Sequence, residues 1–203
     1  MTKNVPTSIK DQQLIEKRRK QMVKGAVTLF KEKGFHRTTT REIAKASGFS
    51  IGTLYEYIRT KEDVLFLVCD DIYENVKERM VGSIDMENRS VECLVDAVRS
   101  YFQLIHDIQD EILVMYQEIK ALSKDAREYI LQKEKDMVHM LEVVIENSLP
   151  YQISDQELKL IANNIFVHGH MWGFRRWILQ KEFTIEEYTD KQIEYLLTSL
   201  KLT

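Results

Sequence analysis

Two prolines and seven glycines in 203 residues leave little to interrupt regular structure. With many Leu, Ile, Glu and Lys, that scarcity favours helix throughout, and no segment reads as a strand. The two cysteines, Cys69 and Cys93, lie far apart and match no metal spacing, so they read as buried thiols of a reducing cytosol. No apolar run approaches the roughly 20 residues that a membrane span requires. The N-terminus, MTKNVPTSIKDQQ, is polar and has no signal core, which predicts a cytoplasmic protein. There is no nucleophile–base–acid set and no glycine loop to cradle a phosphate, so an enzyme is not expected. Internal repeats and low-complexity segments are also absent.

What is present is a hydrophobic fraction of 44%, enough for a real core, and an uneven distribution of charge. Residues 1–61 carry 14 Lys and Arg against five Asp and Glu, a net of +9. Residues 62–203 carry 15 against 27, a net of −12. A basic head on an acidic body is the footprint of a protein whose one end meets phosphates.

The basic head holds the most informative segment, TTTREIAKASGFSIGTLYEYIRTK, residues 38–61. It reads as two short helices joined by a glycine turn, with a third starting at once, the arrangement of a helix-turn-helix. Thr39 and Glu42 form a capping box, Gly48 supplies the turn, Ser50 caps the second short helix, and Thr60 and Asp63 open the next. Ile51, Gly52 and Thr53 would enter the major groove first, and Arg41 is the candidate for a bidentate base contact. Thr40 and Lys61, each at a helix N-terminus, suit phosphate, and Ser50 can donate there as well as cap. Leu54 reads as core. Upstream, the basic run Lys17–Lys20 is either a solvated face or a contact with the DNA backbone.

Around these segments the periodicity predicts an all-α chain of about nine helices. A polar tail, residues 1–10, is expected to be disordered, and residues 11–60 form a three-helix helix-turn-helix domain. Residues 61–203 form a second helical domain, beginning with a long helix over 61–86. Further helices are predicted over 91–108, 111–122, 123–148, 154–181 and 184–202. Gly169 and Gly173 lie four apart within one of them. Each costs about 1 kcal/mol there relative to Ala, so a close helix pair is the expected benefit. His168 and His170 have the wrong helical spacing for a zinc pair, and neither metal nor cofactor is expected.

Residues 14–66 resemble the DNA-binding domain of TetR-family transcriptional regulators, in LFKEKGFHRTTTREIAKASG and again in FSIGTLYEYIRTKEDVL. The resemblance implies that Tyr55 and Tyr57 clasp phosphates, with core packing the alternative for each. Glu56 departs from the aromatic or basic residues usual at its position. The resemblance further implies a homodimer through the last two long helices on a near-palindromic operator, with Phe166, Gly169, Met171, Gly173, Phe174, Ile178, Leu196, Leu197 and Leu200 at the interface. It implies, too, a small effector within the helical body. His106, Met115, Tyr116, Glu118, His139, Asn164, His168 and Trp172 are candidates to line its site, beside core roles for each. Arg175 and Arg176 would either hold an anionic effector such as an acyl thioester or pair with acids at the dimer edge. The expected partners are double-stranded DNA, a second copy and an apolar or amphipathic effector, with no membrane. The expected function is a repressor released by that effector, and a regulator independent of an effector or dependent on a corepressor is the alternative.

Overall fold

The computed structural model describes residues 5, 7–83 and 90–202, and among these the fold is all-α. In chain order the helices are α1 (Gln12–Lys33), α2 (Thr40–Ala46), α3 (Ile51–Tyr57), α4 (Lys61–Ser83), α5 (Val91–Asp107) and α6 (Gln109–Glu118), then α7 (Lys124–Ser148), α8 (Asp155–Phe174), α9 (Arg176–Glu182) and α10 (Ile185–Ser199). A single 3₁₀ turn, Ile119–Ala121, follows α6. The chain divides into two compact units. One contains everything up to Ile72 together with Asp110–Gln132, and the other contains Tyr73–Gln109 and the chain from Lys133. Helices α4 and α7 thus contribute residues to both.

In the first unit α1 turns Met22, Ala26 and Phe30 inward, as its spacing predicts, to meet a core that includes Phe35, Ile43, Leu54, Ile58 and Leu65. The rings of Phe30 and Phe35 pack edge to face, with centroids 5.2 Å apart. The segment expected to be disordered is partly engaged here. Val5 is buried, and the Ser8 amide donates to the Glu56 carbonyl at 3.1 Å. Residues 1–4 and 6 of that tail lie outside the described residues, as do 84–86 at the end of the long predicted helix.

In the second unit α8 and α10 pack on α5, whose stripe of Leu94, Val98, Tyr101, Phe102 and Ile105 is buried as its periodicity requires. The single helix predicted over 154–181 is interrupted at Arg175, which leaves helical geometry at φ −109°, ψ 24°. The break follows Gly173, where helix is weakest, and Arg175 N–H turns back to the Met171 and Gly173 carbonyls. The two glycines do serve a tight helix pair, but within one chain. A Cβ on Gly169 would stand 2.7 Å from Tyr101 Cε1, and one on Gly173 would stand 3.3 Å from Gln109 Cβ. Phe166, Gly169, Gly173 and Leu200 are therefore buried inside the protomer, which removes them from the surface a second copy could touch. Met171, Phe174, Leu196 and Leu197 are part-exposed and Ile178 is exposed. The apolar residues that α8 and α10 do turn outward include Leu160 and Tyr195, each 62% exposed, and Val167.

Candidate nucleic-acid interface

Helices α2 and α3 are too short to persist alone, so local bonds and the core beneath hold them. At the start of α2 the capping box closes in both directions. Glu42 N–H donates to Thr39 Oγ1 at 3.3 Å, and Thr39 N–H donates to Glu42 Oε2 at 2.9 Å. The Glu42 carboxylate also pairs with Lys33. The Lys33 and Thr39 donors stabilise its charged form and hold its pKa down at about 2. Gly48 follows at φ +75°, a conformation that a side chain would resist, and turns the chain into α3. There Ser50 Oγ accepts from Thr53 N–H at 3.0 Å.

Across the two helices the candidate residues fall into distinct sets. Thr40 Oγ1 and the Tyr55 hydroxyl are 3.1 Å apart, and the Tyr55 ring is 52% exposed. These two groups, predicted separately as phosphate contacts, form one polar site. The hydroxyls of Ser50 and Thr53 are likewise 3.0 Å apart. Gly52 and Arg41 are exposed, and Ile51 and Thr53 are part-exposed. Lys61 is committed inward as well as available: its ammonium donates to the Phe35 carbonyl at 2.7 Å and the His36 carbonyl at 3.3 Å, and lies 4.2 Å from the Phe35 ring centroid. An ammonium has three donors, so one remains for a phosphate.

Tyr57 does not join them. It is only 3% exposed and packs in the core, because two residues along a helix rotate a side chain by roughly 200° from Tyr55. The assignment of Tyr57 to phosphate is corrected accordingly, and Leu54 is core as predicted. The basic run in α1 is also partly structural. Arg18 lies over the Phe49 ring at 5.0 Å, and Arg19 Nη2 donates to the Val5 carbonyl at 2.5 Å. Burial pushes the Arg19 pKa down while the charges of Asp70 and Asp63 oppose that shift. Nothing in the polar tail signals that it would bond Glu56, because the contact joins residues far apart in sequence.

The residues assigned to an effector are dispersed. Met115, Tyr116 and Glu118 belong to the first unit, where Met115 is buried and Tyr116 exposed. The others belong to the second. Trp172 is buried there and donates through Nε1 to His106 Nδ1 at 2.8 Å. Asn164 and His168 line a cleft of ≈ 230 Å³ between α8 and α10, with Val98, Phe102, Tyr195 and Leu196. His139 is exposed and bonds Glu142 at 2.9 Å on its own helix. Arg175 is exposed against Trp177. Arg176, at the first position of α9, is part-exposed. His170, two residues from His168, faces inward onto Tyr101 and Phe166, and burial holds its pKa at about 3. Among the described residues no three His, Cys, Asp or Glu side chains gather as a metal site, and no helix is long and apolar enough to cross a membrane.

Two family models match the chain. Residues 23–68 match the bacterial regulatory proteins of the tetR family, and residues 87–199 match the tetracyclin repressor-like C-terminal domain. The HTH-type transcriptional regulator HbdR of Aromatoleum sp. (strain CIB) is 26% identical over 198 residues, spanning 96% of this chain and 85% of that one. The fatty acid metabolism regulator protein of Bacillus subtilis (strain 168) is 26% identical over 129 residues, 64% of this chain and 66% of that one. Among solved structures, a tetR-family regulatory protein from Rhodococcus RHA1 superposes with a TM-score of 0.77 at 20% identity, covering 91% of this chain and 97% of that one. AibR, solved with isovaleryl coenzyme A and operator DNA, superposes with a TM-score of 0.70 at 20% identity, covering 87% and 96%.

Proposed function

Because this chain belongs to the TetR family of bacterial regulatory proteins, a family of DNA-binding regulators and not of enzymes, we propose that it is a homodimeric repressor released from a near-palindromic operator by an acyl thioester. The observation that carries the DNA-reading part is the capped α2–α3 pair, which presents Arg41, Thr53 and the joined Thr40–Tyr55 hydroxyls on the basic end of the chain. Thr40, Tyr55 and Lys61 hold phosphate, and Arg41 and Thr53 read base edges, with Gly52 allowing close approach and Ile51 offering apolar contact. Acting on the chromosome, the protein works in the cytoplasm.

The dimer reading rests on the apolar residues that α8 and α10 leave uncovered. Leu160, Val167 and Tyr195, with Ile178 of α9 beside them in sequence, take the place of the buried Phe166, Gly169, Gly173 and Leu200 in that role. Asn164 and His168 stand exposed on the same helix as Leu160 and Val167, and we reassign them from the effector to this face. The effector class rests on AibR, with its isovaleryl coenzyme A, and on the fatty acid regulator among the relatives.

Selection from random duplexes tests the first part. An enriched near-palindrome is expected, and Arg41→Ala should relax its base preference by about 1–3 kcal/mol. Melting curves against acyl-coenzyme A compounds of graded chain length test the second, since a ligand that binds the folded state must raise its stability. Stabilisation without release from the operator would favour a corepressor, and no stabilisation would favour a regulator that needs no effector.

A further inference from the structure

The Glu56 carbonyl is among the last four of α3 and has no partner within that helix. It accepts from three donors of the N-terminal segment: Thr7 Oγ1 at 2.8 Å, Ser8 N–H at 3.1 Å and, more weakly, Ser8 Oγ at 3.4 Å. The segment is itself anchored. Thr7 Oγ1 accepts from Ile9 N–H at 3.2 Å, Val5 is buried at 2% exposure, and the Val5 carbonyl takes the Arg19 guanidinium of α1. All of these groups lie in the first unit.

Helix α3 needs such an attachment. Its seven residues are far short of the length at which a helix holds itself, and its C-terminal end carries no glycine cap: Ile58 follows in extended conformation. Ser50 caps its start, Leu54 buries its inner face, and Tyr55 ties one side to Thr40. The last turn, beside the Tyr55 that meets phosphate, depends on what satisfies its carbonyls.

We propose that the segment of residues 7–9 is a strap that caps the C-terminal end of the recognition helix, making Thr7 and Ser8 positioning residues for DNA reading without contact with DNA. The proposal rests on α3 being the helix that reads DNA. It adds to that reading a source of order for the helix outside the helix-turn-helix itself.

Hydrogen exchange on the full-length, DNA-free protein tests the strap independently of any operator. Thr7→Val removes the hydroxyl donor at nearly constant shape, and Ser8→Pro removes the amide donor. In each, the Leu54 and Ile58 amides should exchange about three- to tenfold faster, the range a single net hydrogen bond supplies, while the Ile43 amide of α2 keeps its rate. Affinity for the selected operator should fall by a similar factor, and Thr7→Ser, which keeps the hydroxyl, should restore both. Unchanged exchange at Leu54 and Ile58 in Thr7→Val overturns the strap. Faster exchange with unchanged operator affinity overturns its positioning role. A protein that selects no operator would instead contradict the DNA-reading premise, and the exchange rates would still judge the strap.

Discussion

Tyr55 and Tyr57 share a side chain and a helix, and their phase on that helix separates them. Tyr55 stands outward beside Thr40, whereas Tyr57 fills the core. If Tyr55 meets phosphate as proposed, Tyr55→Phe should weaken binding to all duplexes alike by removing that donor, and Tyr57→Phe should leave binding within about twofold. Tyr57→Ala should instead lower folding stability by about 3–5 kcal/mol, the cost of an emptied aromatic site. Filter binding and denaturant titration read the two effects separately. His170 makes a second prediction at this scale. Its folded pKa lies at about 3 against an ordinary 6.5, because burial disfavours the cation. Below pH 6.5 the unfolded chain takes up a proton that the folded chain refuses, so stability is lost as pH falls from about 6.5 towards 3. Titrating urea unfolding across that window in wild type and in His170→Gln should show a shallower loss in the variant, and equal slopes would contradict it.

At the scale of elements, the packing of α8 on α5 and on the first residue of α6 explains why two glycines survive inside a helix: Gly169 faces Tyr101 and Gly173 faces Gln109. Gly169 admits the Tyr101 ring, whose hydroxyl donates to the Phe166 carbonyl at 3.1 Å, so backbone and ring interlock. Gly169→Leu should destabilise the protomer by about 1–3 kcal/mol or more through overpacking. The folded variant should keep the wild-type mass by light scattering. A variant with unchanged melting behaviour but half the mass would return this glycine to the dimer interface. The same packing bears on the break at Arg175: α8 meets α5 at Gly169 and Gln109 of α6 at Gly173, and after Arg175 the chain re-enters helix as α9.

For the whole molecule, a basic head and an acidic body favour one end of the chain for DNA, and binding should weaken steeply with salt as counterions are released. The protein should run in solution at twice its 24.0 kDa chain mass. If an acyl thioester releases it from DNA, linkage requires that operator weaken thioester binding by the same factor that thioester weakens operator binding. Calorimetric titration of the free protein and of the operator complex measures both sides. Equal thioester affinities in the two titrations would exclude induction by that ligand.

The all-α class, the helix-turn-helix and its caps were determined by the sequence itself, because they depend on residues within a few positions of one another. The Thr39–Glu42 box, the Gly48 turn and the Ser50 cap are all interactions across three or four residues, and the stripe of α5 is a periodicity visible without a partner. Tertiary structure decided what each face meets. The glycine spacing in α8 predicts a close neighbour, but only the fold supplies Tyr101 and Gln109 as that neighbour, in the same chain. An alternation of Tyr, Glu and Tyr in α3 leaves its phase open by one face until Leu54 and Ile58 are seen to take the core. The bond from Ser8 to Glu56 crosses 48 positions, and neither local propensity nor charge pattern carries information over such a separation.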